Sequence, residues 1–257
     1  MIALKPDIAR EFGSASKTYE RVSRLQRLMG DDMIQRLGRI APAGHVLDLG
    51  CGTGWFTRQL ADMLPDSAVT GMDLSPGMID HASQTSKCVS SWLVGDAEHI
   101  PFPDDSVDLL FSNLMLQWCA DPRVVFRECR RVLRPGGRLM ISSLLDGTLA
   151  ELRQAWAAAD HGVEHVNQFL PETDFVRYVD EVLPGARVDA RSLQLEYDSP
   201  MGLVGELKKL GAGYKGGQRR MSLTGPGRWR RMCDQYPLAD DGRVLGTYEA
   251  VWVDWKA

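Results

Sequence analysis

Val46-Leu47-Asp48-Leu49-Gly50-Cys51-Gly52-Thr53-Gly54-Trp55-Phe56 is the stretch on which the reading of this chain turns. The apolar run from His45 to Leu49 is short enough for a buried strand, whereas Thr53 to Met63 places Phe56, Leu60 and Met63 at helical spacing. A glycine-rich turn therefore joins a parallel strand to a helix. Glycines at 50, 52 and 54 allow a sharp turn and leave no Cβ between the main chain and a ligand. Such a turn suits a nucleotide-like molecule.

Spacing and charge decide which one. A dinucleotide fingerprint, G-x-G-x-x-G, brings a helix N-terminus onto a pyrophosphate. Here the spacing is Gly50-x-Gly52-x-Gly54 and Asp48 stands just ahead of it, which disfavours a nicotinamide oxidoreductase and suits a cation. Asp73 ends the next strand, Ala68 to Asp73, 19 residues beyond Gly54, where a carboxylate accepts both ribose hydroxyls. Asp96 follows a third strand, Trp92 to Val94, in Gly95-Asp96-Ala97-Glu98, a position within reach of an adenine amine. Three acids at three successive strand ends fit S-adenosylmethionine, a sulfonium cation with an ammonium group, a ribose and an adenine. The series resembles the motifs of class I S-adenosylmethionine-dependent methyltransferases. That resemblance implies an α/β fold with a Rossmann-like, doubly wound, seven-stranded sheet, an N-terminal lid helix and a C-terminal helical insert before the last strands.

At 257 residues, 44% hydrophobic and 25% charged, the chain has room for one large globular domain. We read it as a single unit over 1–257, with the lid in 1–40, the cofactor-binding core in 41–144 and substrate-side inserts and last strands in 145–257. No apolar run approaches a membrane span and the start lacks a secretory core, so a cytoplasmic protein is expected, with neither membrane nor nucleic acid as partner. The five cysteines, at 51, 88, 119, 129 and 233, have unrelated spacings and no C-x-x-C, which predicts reduced thiols rather than a disulfide framework or zinc site. His161 and His165 stand four apart but no third ligand is spaced to join them, and no metal is expected. The net charge of −4 is uneven: residues 201–231 hold eight Lys or Arg against the single acid Glu206, a surplus of +7. Such a cluster is either a solvated face or a patch for an anionic partner.

In chain order, Ile8 to Leu37 reads as one helix, with Phe12, Tyr19, Val22, Leu25, Leu28 and Met29 at compatible spacing. Tyr19 serves either the pocket or plain packing. Ser75-Pro76 reads as a Ser N-cap with Pro at the first helical position, and Met78 in the first turn faces either the cofactor or the core. A Pro-rich turn leads into the strand Leu109 to Ser112, and Asn113 to Cys119 leaves it at the carboxyl edge, where open α/β sheets bind ligands. The helix Pro122 to Leu133 ends in the turn Arg134-Pro135-Gly136-Gly137, which feeds a strand over Arg138 to Ser143. Helices follow over Thr148 to Ala159, Glu172 to Val182 and Ser199 to Leu210, with a strand over Arg187 to Tyr197 and a last, antiparallel strand over Gly246 to Val253.

Beyond the general class, the chain resembles the malonyl-acyl-carrier-protein O-methyltransferases of biotin synthesis. The likeness rests on D-L-G-C-G-T-G-W at 48–55, M-D-L-S-P-G-M at 72–78, F-S-N-L-M-L-Q-W-C at 111–119, L-x-E-L-R-Q-A-W at 149–156, H-V-N-Q-F-L-P at 165–171 and E-L-K-K-L-G-A at 206–212. It departs at Gln168, where the family often has Arg, and over residues 213–231. The resemblance implies methyl transfer from S-adenosylmethionine, leaving S-adenosylhomocysteine, to the free carboxylate of a malonyl thioester. The thioester is carried by an acidic acyl carrier protein on phosphopantetheine, or by coenzyme A. Implied cofactor residues are Tyr19, Gln26, Asp48, Gly50, Gly52, Gly54, Asp73, Leu74, Met78, Asp96, Ala97, Asn113 and Leu114. On the substrate side they are Gln117, Trp118, Asn167, Phe169, Lys208, Lys209, Arg219 and Arg220, with Trp118 alternatively a core residue. No nucleophile or general base is assigned, because a carboxylate acceptor is already anionic. The competing readings are a class I methyltransferase for another small acid, a quinone or a sterol, and a non-catalytic S-adenosylmethionine sensor or accessory module.

Overall fold

The computed structural model describes residues 5–38, 44–86, 89–214 and 225–257. Within them, strands β1 (His45–Leu49), β2 (Ala68–Asp73), β3 (Ser91–Val94), β4 (Val107–Asn113), β5 (Leu133–Leu144), β6 (Arg187–Tyr197) and β7 (Val244–Lys256) form one sheet. Its order is β3-β2-β1-β4-β5-β7-β6, with β1 to β5 parallel and β7 antiparallel between β5 and β6. The winding reverses between β1 and β4, so their carboxyl ends flank a crevice.

Period-two alternation along the strands builds a core on each face of the sheet. Val46, Leu109, Phe111, Met140, Ala250 and Trp252 face one core, which takes in the helices α2 (Arg24–Leu37), α3 (Trp55–Met63), α6 (Ala150–Ala159) and α9 (Pro226–Asp234). Their neighbours Leu47, Leu110, Leu139, Ile141, Val251 and Val253 face the other, against α5 (Pro122–Val132) and α7 (Glu172–Val182). Helix α5 shows why such segments fold as read. Asp121 caps it by accepting a hydrogen bond from the Arg123 amide at 2.9 Å, Pro122 opens it, and Val125, Phe126, Cys129 and Val132 form its buried stripe. Helices α1 (Lys5–Val22), α4 (Pro76–Thr85) and α8 (Pro200–Lys209) complete the set; α1 lies on α4 and touches α8.

Three expectations need correction, and one helix is additional. The N-terminal helix is two helices, broken at Ser23, whose backbone leaves the helical region (φ −84°, ψ 50°). The break lets α1 lie on α4 while α2 turns to β4 and β5. Ser75 precedes α4, but its side chain does not cap that helix; Oγ donates to the Ala9 carbonyl at 2.7 Å and ties α4 to α1. Arg134 to Gly137 is a bulge inside β5 rather than a turn before it: Leu133 pairs with Val107 and Arg138 with Leu109. Helix α9 was not foreseen, since its Arg-rich sequence offers only Met232 as a buried side chain. Among the described residues no helix is long and apolar enough to cross a membrane.

Candidate active site at the carboxyl edge of the sheet

The crevice at the ends of β1, β2 and β4 is covered by α1 and the start of α2, and Tyr19, Gly50, Gly52 and Asn113 divide it into two lobes. The first lobe has about 760 Å³ of atom-free space with its mouth included, a size suited to a small-molecule site. Its floor is the glycine turn, where the Gly50 and Cys51 amides both donate to the Met72 carbonyl, at 2.8 and 3.0 Å. Asp73 pins the turn from the next strand. Its Oδ2 accepts from the Gly52 amide at 2.9 Å and its Oδ1 from the Ser75 amide at 2.8 Å. Burial pushes the Asp73 carboxyl up, and those two amides pull it back. Burial, and then the Asp73 charge, also push the Tyr19 phenol up, so it stays neutral.

The three glycines do different work. A Cβ on Gly50 would strike the Met115 side chain at 2.4 Å, whereas one on Gly52 would meet nothing within 4 Å and would stand in the open cleft. That free space beside a backbone amide is what a closely held ligand requires. Gly54 lines neither lobe, and a Cβ there would meet the Trp92 ring at 2.3 Å. It permits close packing of the turn on β3.

Leu74, Met78, Ala97 and Leu114 supply apolar walls of the first lobe. Leu114 has φ 54°, rare for a branched side chain, and is held there by its amide's bonds to the carbonyl and Oγ of Ser142. Asn113 accepts from Ser142 Oγ at 2.7 Å and donates to the Gln26 carbonyl at 2.9 Å, which fastens α2 to the end of β4. Asp96 lies in the same lobe and accepts from Lys5 Nζ at 2.6 Å; Lys5 also reaches Glu98 at 2.7 Å. Burial alone would raise the Asp96 carboxyl, but Lys5 and the Glu98 amide hold it below the ordinary range.

Asp48 belongs to the second lobe, with Gln26, Arg27 and Trp55. It is 2% exposed and accepts from Thr57 Oγ1 at 2.5 Å. Burial pushes its carboxyl up to about 7, the Thr57 bond lowering it and the Asp73 charge raising it. A raised acid means the folded chain keeps a proton that the unfolded chain releases, so this group lowers stability as pH rises from about 4 to about 7 and flattens above that. We expect Asp48→Asn to melt higher than wild type at pH 8 in the absence of ligand, with the gap shrinking toward pH 5, while binding of the cationic cofactor at pH 8 weakens. Calorimetric melts at both pH values test this; parallel curves would reject the assignment of Asp48 as a strained, cation-facing acid.

On the substrate side, Trp118 is the only one of the expected residues, among those described, that lines the cleft, set edge-to-face on Phe12 at 5.1 Å. Gln117 braces the turn, donating to the Leu114 carbonyl at 2.7 Å and accepting from Ser143. Asn167 donates to the Gly213 carbonyl at 3.3 Å, and Phe169 packs on the core. Lys208 and Lys209 are exposed in the last turn of α8, behind the lid, where Thr18 Oγ1 donates to the Lys209 carbonyl at 3.0 Å. Neither lysine lines a lobe. Arg219 and Arg220 lie outside the described residues. His165 bonds Asp160 at 3.0 Å and stacks on Trp156 at 3.9 Å, and among the described residues no group of three His, Cys, Asp or Glu is placed to hold a metal. Lys5 and Arg27 line the site without having been singled out, because no spacing or motif distinguishes them from surface residues, and Trp55, quoted within the 48–55 motif, was given no role there.

Sheet order, glycine turn and strand-end acids define a methyltransferase, and residues 47–141 match the methyltransferase domain family. A solved structure of phosphoethanolamine N-methyltransferase 2 from Haemonchus contortus, in complex with S-adenosylhomocysteine, shares the fold. It has a TM-score of 0.59 and 18% identity, over 95% of this chain and 57% of that one. The chain is 40% identical over 235 residues to the malonyl-[acyl-carrier protein] O-methyltransferase of Hahella chejuensis, across 90% of this chain and 83% of that protein. It is 39% identical to the biotin biosynthesis bifunctional protein BioHC of Cellvibrio japonicus, across 86% of this chain and 44% of that longer protein. The chain belongs to the malonyl-[acyl-carrier protein] O-methyltransferase family, and it is an enzyme that uses S-adenosylmethionine.

Proposed function

We infer that this enzyme methylates the free carboxylate of malonyl-acyl carrier protein, forming the malonyl methyl ester and S-adenosylhomocysteine in biotin synthesis. The observation that carries the reading is the family relationship across 90% of the chain, joined to a cleft whose acids match the cofactor's polar groups. Bound there, S-adenosylmethionine supplies the methyl group. Asp73 holds the ribose hydroxyls with the lone pairs left by the Gly52 and Ser75 amides, and Gly52 leaves room for the ligand against the main chain. Leu74, Met78 and Ala97, apolar walls of the first lobe, would hold the base, and Asp96 in the same lobe would accept from its amine.

The acceptor arrives ionised, so the protein's task is alignment and exclusion of water. Phe12, Met115 and Trp118 form the apolar wall for that purpose. Acceptor and sulfonium both lose charge in the transfer, so a tight ion pair to the reacting oxygen would favour the ground state over the transition state. Lysines outside the cleft avoid that cost. Lys208 and Lys209, with Arg219 and Arg220, are assigned to the acidic carrier.

Mass spectrometry of malonyl-carrier protein and malonyl-coenzyme A after incubation with enzyme and S-adenosylmethionine tests the reaction; the expected product gains one methylene, and no gain would overturn the reading. The double variant Lys208→Ala/Lys209→Ala is expected to raise KM for the carrier substrate several-fold, leave kcat and cofactor affinity nearly unchanged, and lose much of the salt dependence of the rate. Wild-type KM and salt response in that variant would make the lysines a solvated face.

A further inference from the structure

Helix α1 turns Ile8, Phe12 and Tyr19 into the first lobe, and its outer face carries Lys17 and Arg21, both exposed. They stand four residues apart, a spacing at which like charges repel and disfavour the helix. Thr18, between them in sequence, donates to the Lys209 carbonyl at 3.0 Å, so this face of α1 adjoins the last turn of α8, where Lys208 and Lys209 are also exposed. The seam is close: a Cβ on Gly211, which follows α8 at φ 71°, would meet the Glu11 carbonyl of α1 at 2.9 Å. The acids around the seam are taken up by other partners. Glu20 pairs with Arg58 at 2.9 Å, Glu206 with Arg24 and the Tyr197 hydroxyl, each at 3.0 Å, and Glu11 is engaged as well. Among the described residues no ion pair includes Lys17, Arg21, Lys208 or Lys209, which leaves a local excess of positive charge.

We propose that Lys17 and Arg21 join Lys208 and Lys209 in one cationic surface across the seam between α1 and α8, and that its occupant is the acidic carrier protein, which delivers the malonyl group to the cleft on the other side of α1. The proposal rests on the malonyl-carrier reading above and extends it to two residues of the lid itself. Charge complementarity selects the partner: solvated lysine and arginine heads give steering and register to an acidic surface and little to an apolar one. Size agrees. A helix with its side chains is about 10–12 Å across, and an extended phosphopantetheine arm is longer than that.

The test measures methyl transfer to malonyl-carrier protein and to malonyl-pantetheine, which keeps the thioester end of the arm without the protein or its phosphate. Lys17→Gln/Arg21→Gln is expected to raise KM for the carrier substrate roughly three- to tenfold and to flatten the fall of its rate with salt. KM for malonyl-pantetheine, kcat for both substrates and S-adenosylhomocysteine affinity should stay within about twofold, which also reports an intact fold. Lys17→Arg/Arg21→Lys should return the wild-type KM and salt response, because steering needs the charge rather than either head group, and Lys17→Glu/Arg21→Glu should exceed the glutamine pair. Unchanged carrier KM and salt response in the glutamine variant, or an equal rise for both substrates, would overturn the surface. If the wild-type enzyme methylates malonyl-pantetheine and not the carrier-bound thioester, the carrier reading fails instead.

Discussion

Asp73→Ala is expected to weaken S-adenosylhomocysteine binding by about a hundredfold or more, the largest loss of any single change in the site. Two effects combine. The carboxylate offers its remaining lone pairs to the ribose, and charge-assisted bonds of this kind are the strong ones. The same two oxygens hold the Gly52 and Ser75 amides, so the alanine also releases the glycine turn from β2 and the start of α4. Asp73→Asn should be intermediate, because one of its two groups becomes a donor that faces an amide donor. Titration calorimetry decides the matter; an alanine variant within about threefold of wild type would remove Asp73 from the cofactor site.

Gly77→Val is expected to reduce cofactor affinity at least about tenfold without unfolding the protein, although residue 77 lines neither lobe. A Cβ at Gly77 would meet Gly13 Cα at 3.0 Å, and a Cβ at Gly13 would meet Ser75 Oγ at 2.8 Å. The two glycines are the point where α1 rests on α4, next to the Ser75 bond to the Ala9 carbonyl. Branched carbons there have backbone on the far side, so α1 must move off, carrying Phe12, Tyr19 and the Lys5 bridges away from the cleft. Gly77→Ala should lie between. Circular dichroism establishes the fold and calorimetry the affinity; wild-type affinity in the valine variant would mean that the seat of α1 does not shape the site.

Much of the fold was legible because its determinants are local. Val46 to Leu49 and Ala68 to Asp73 are strands bounded by glycine, proline or acid, α5 carries its buried stripe within eleven residues and its cap at the residue before them, and the tail alternates from Val244 to Glu249 before the fully buried run Ala250 to Val253. Ser23 was not legible: nothing near it breaks helical periodicity, and the break is stabilised only because α1 and α2 pack on different elements. Likewise the 134–137 bulge needs β4 alongside to exist.

What the sequence by itself determined was the strand, glycine turn and helix at 46–63 and the acid at the end of each of the first three strands, since spacing along the chain places those groups. Only the tertiary structure decided which groups meet. Gly54 packs against Trp92, Lys208 and Lys209 line neither lobe of the cleft, and Arg27 lies on Trp55 in the second lobe. These pairings join residues far apart in the chain, and neither helical nor strand periodicity carries information about which distant surface a face will meet.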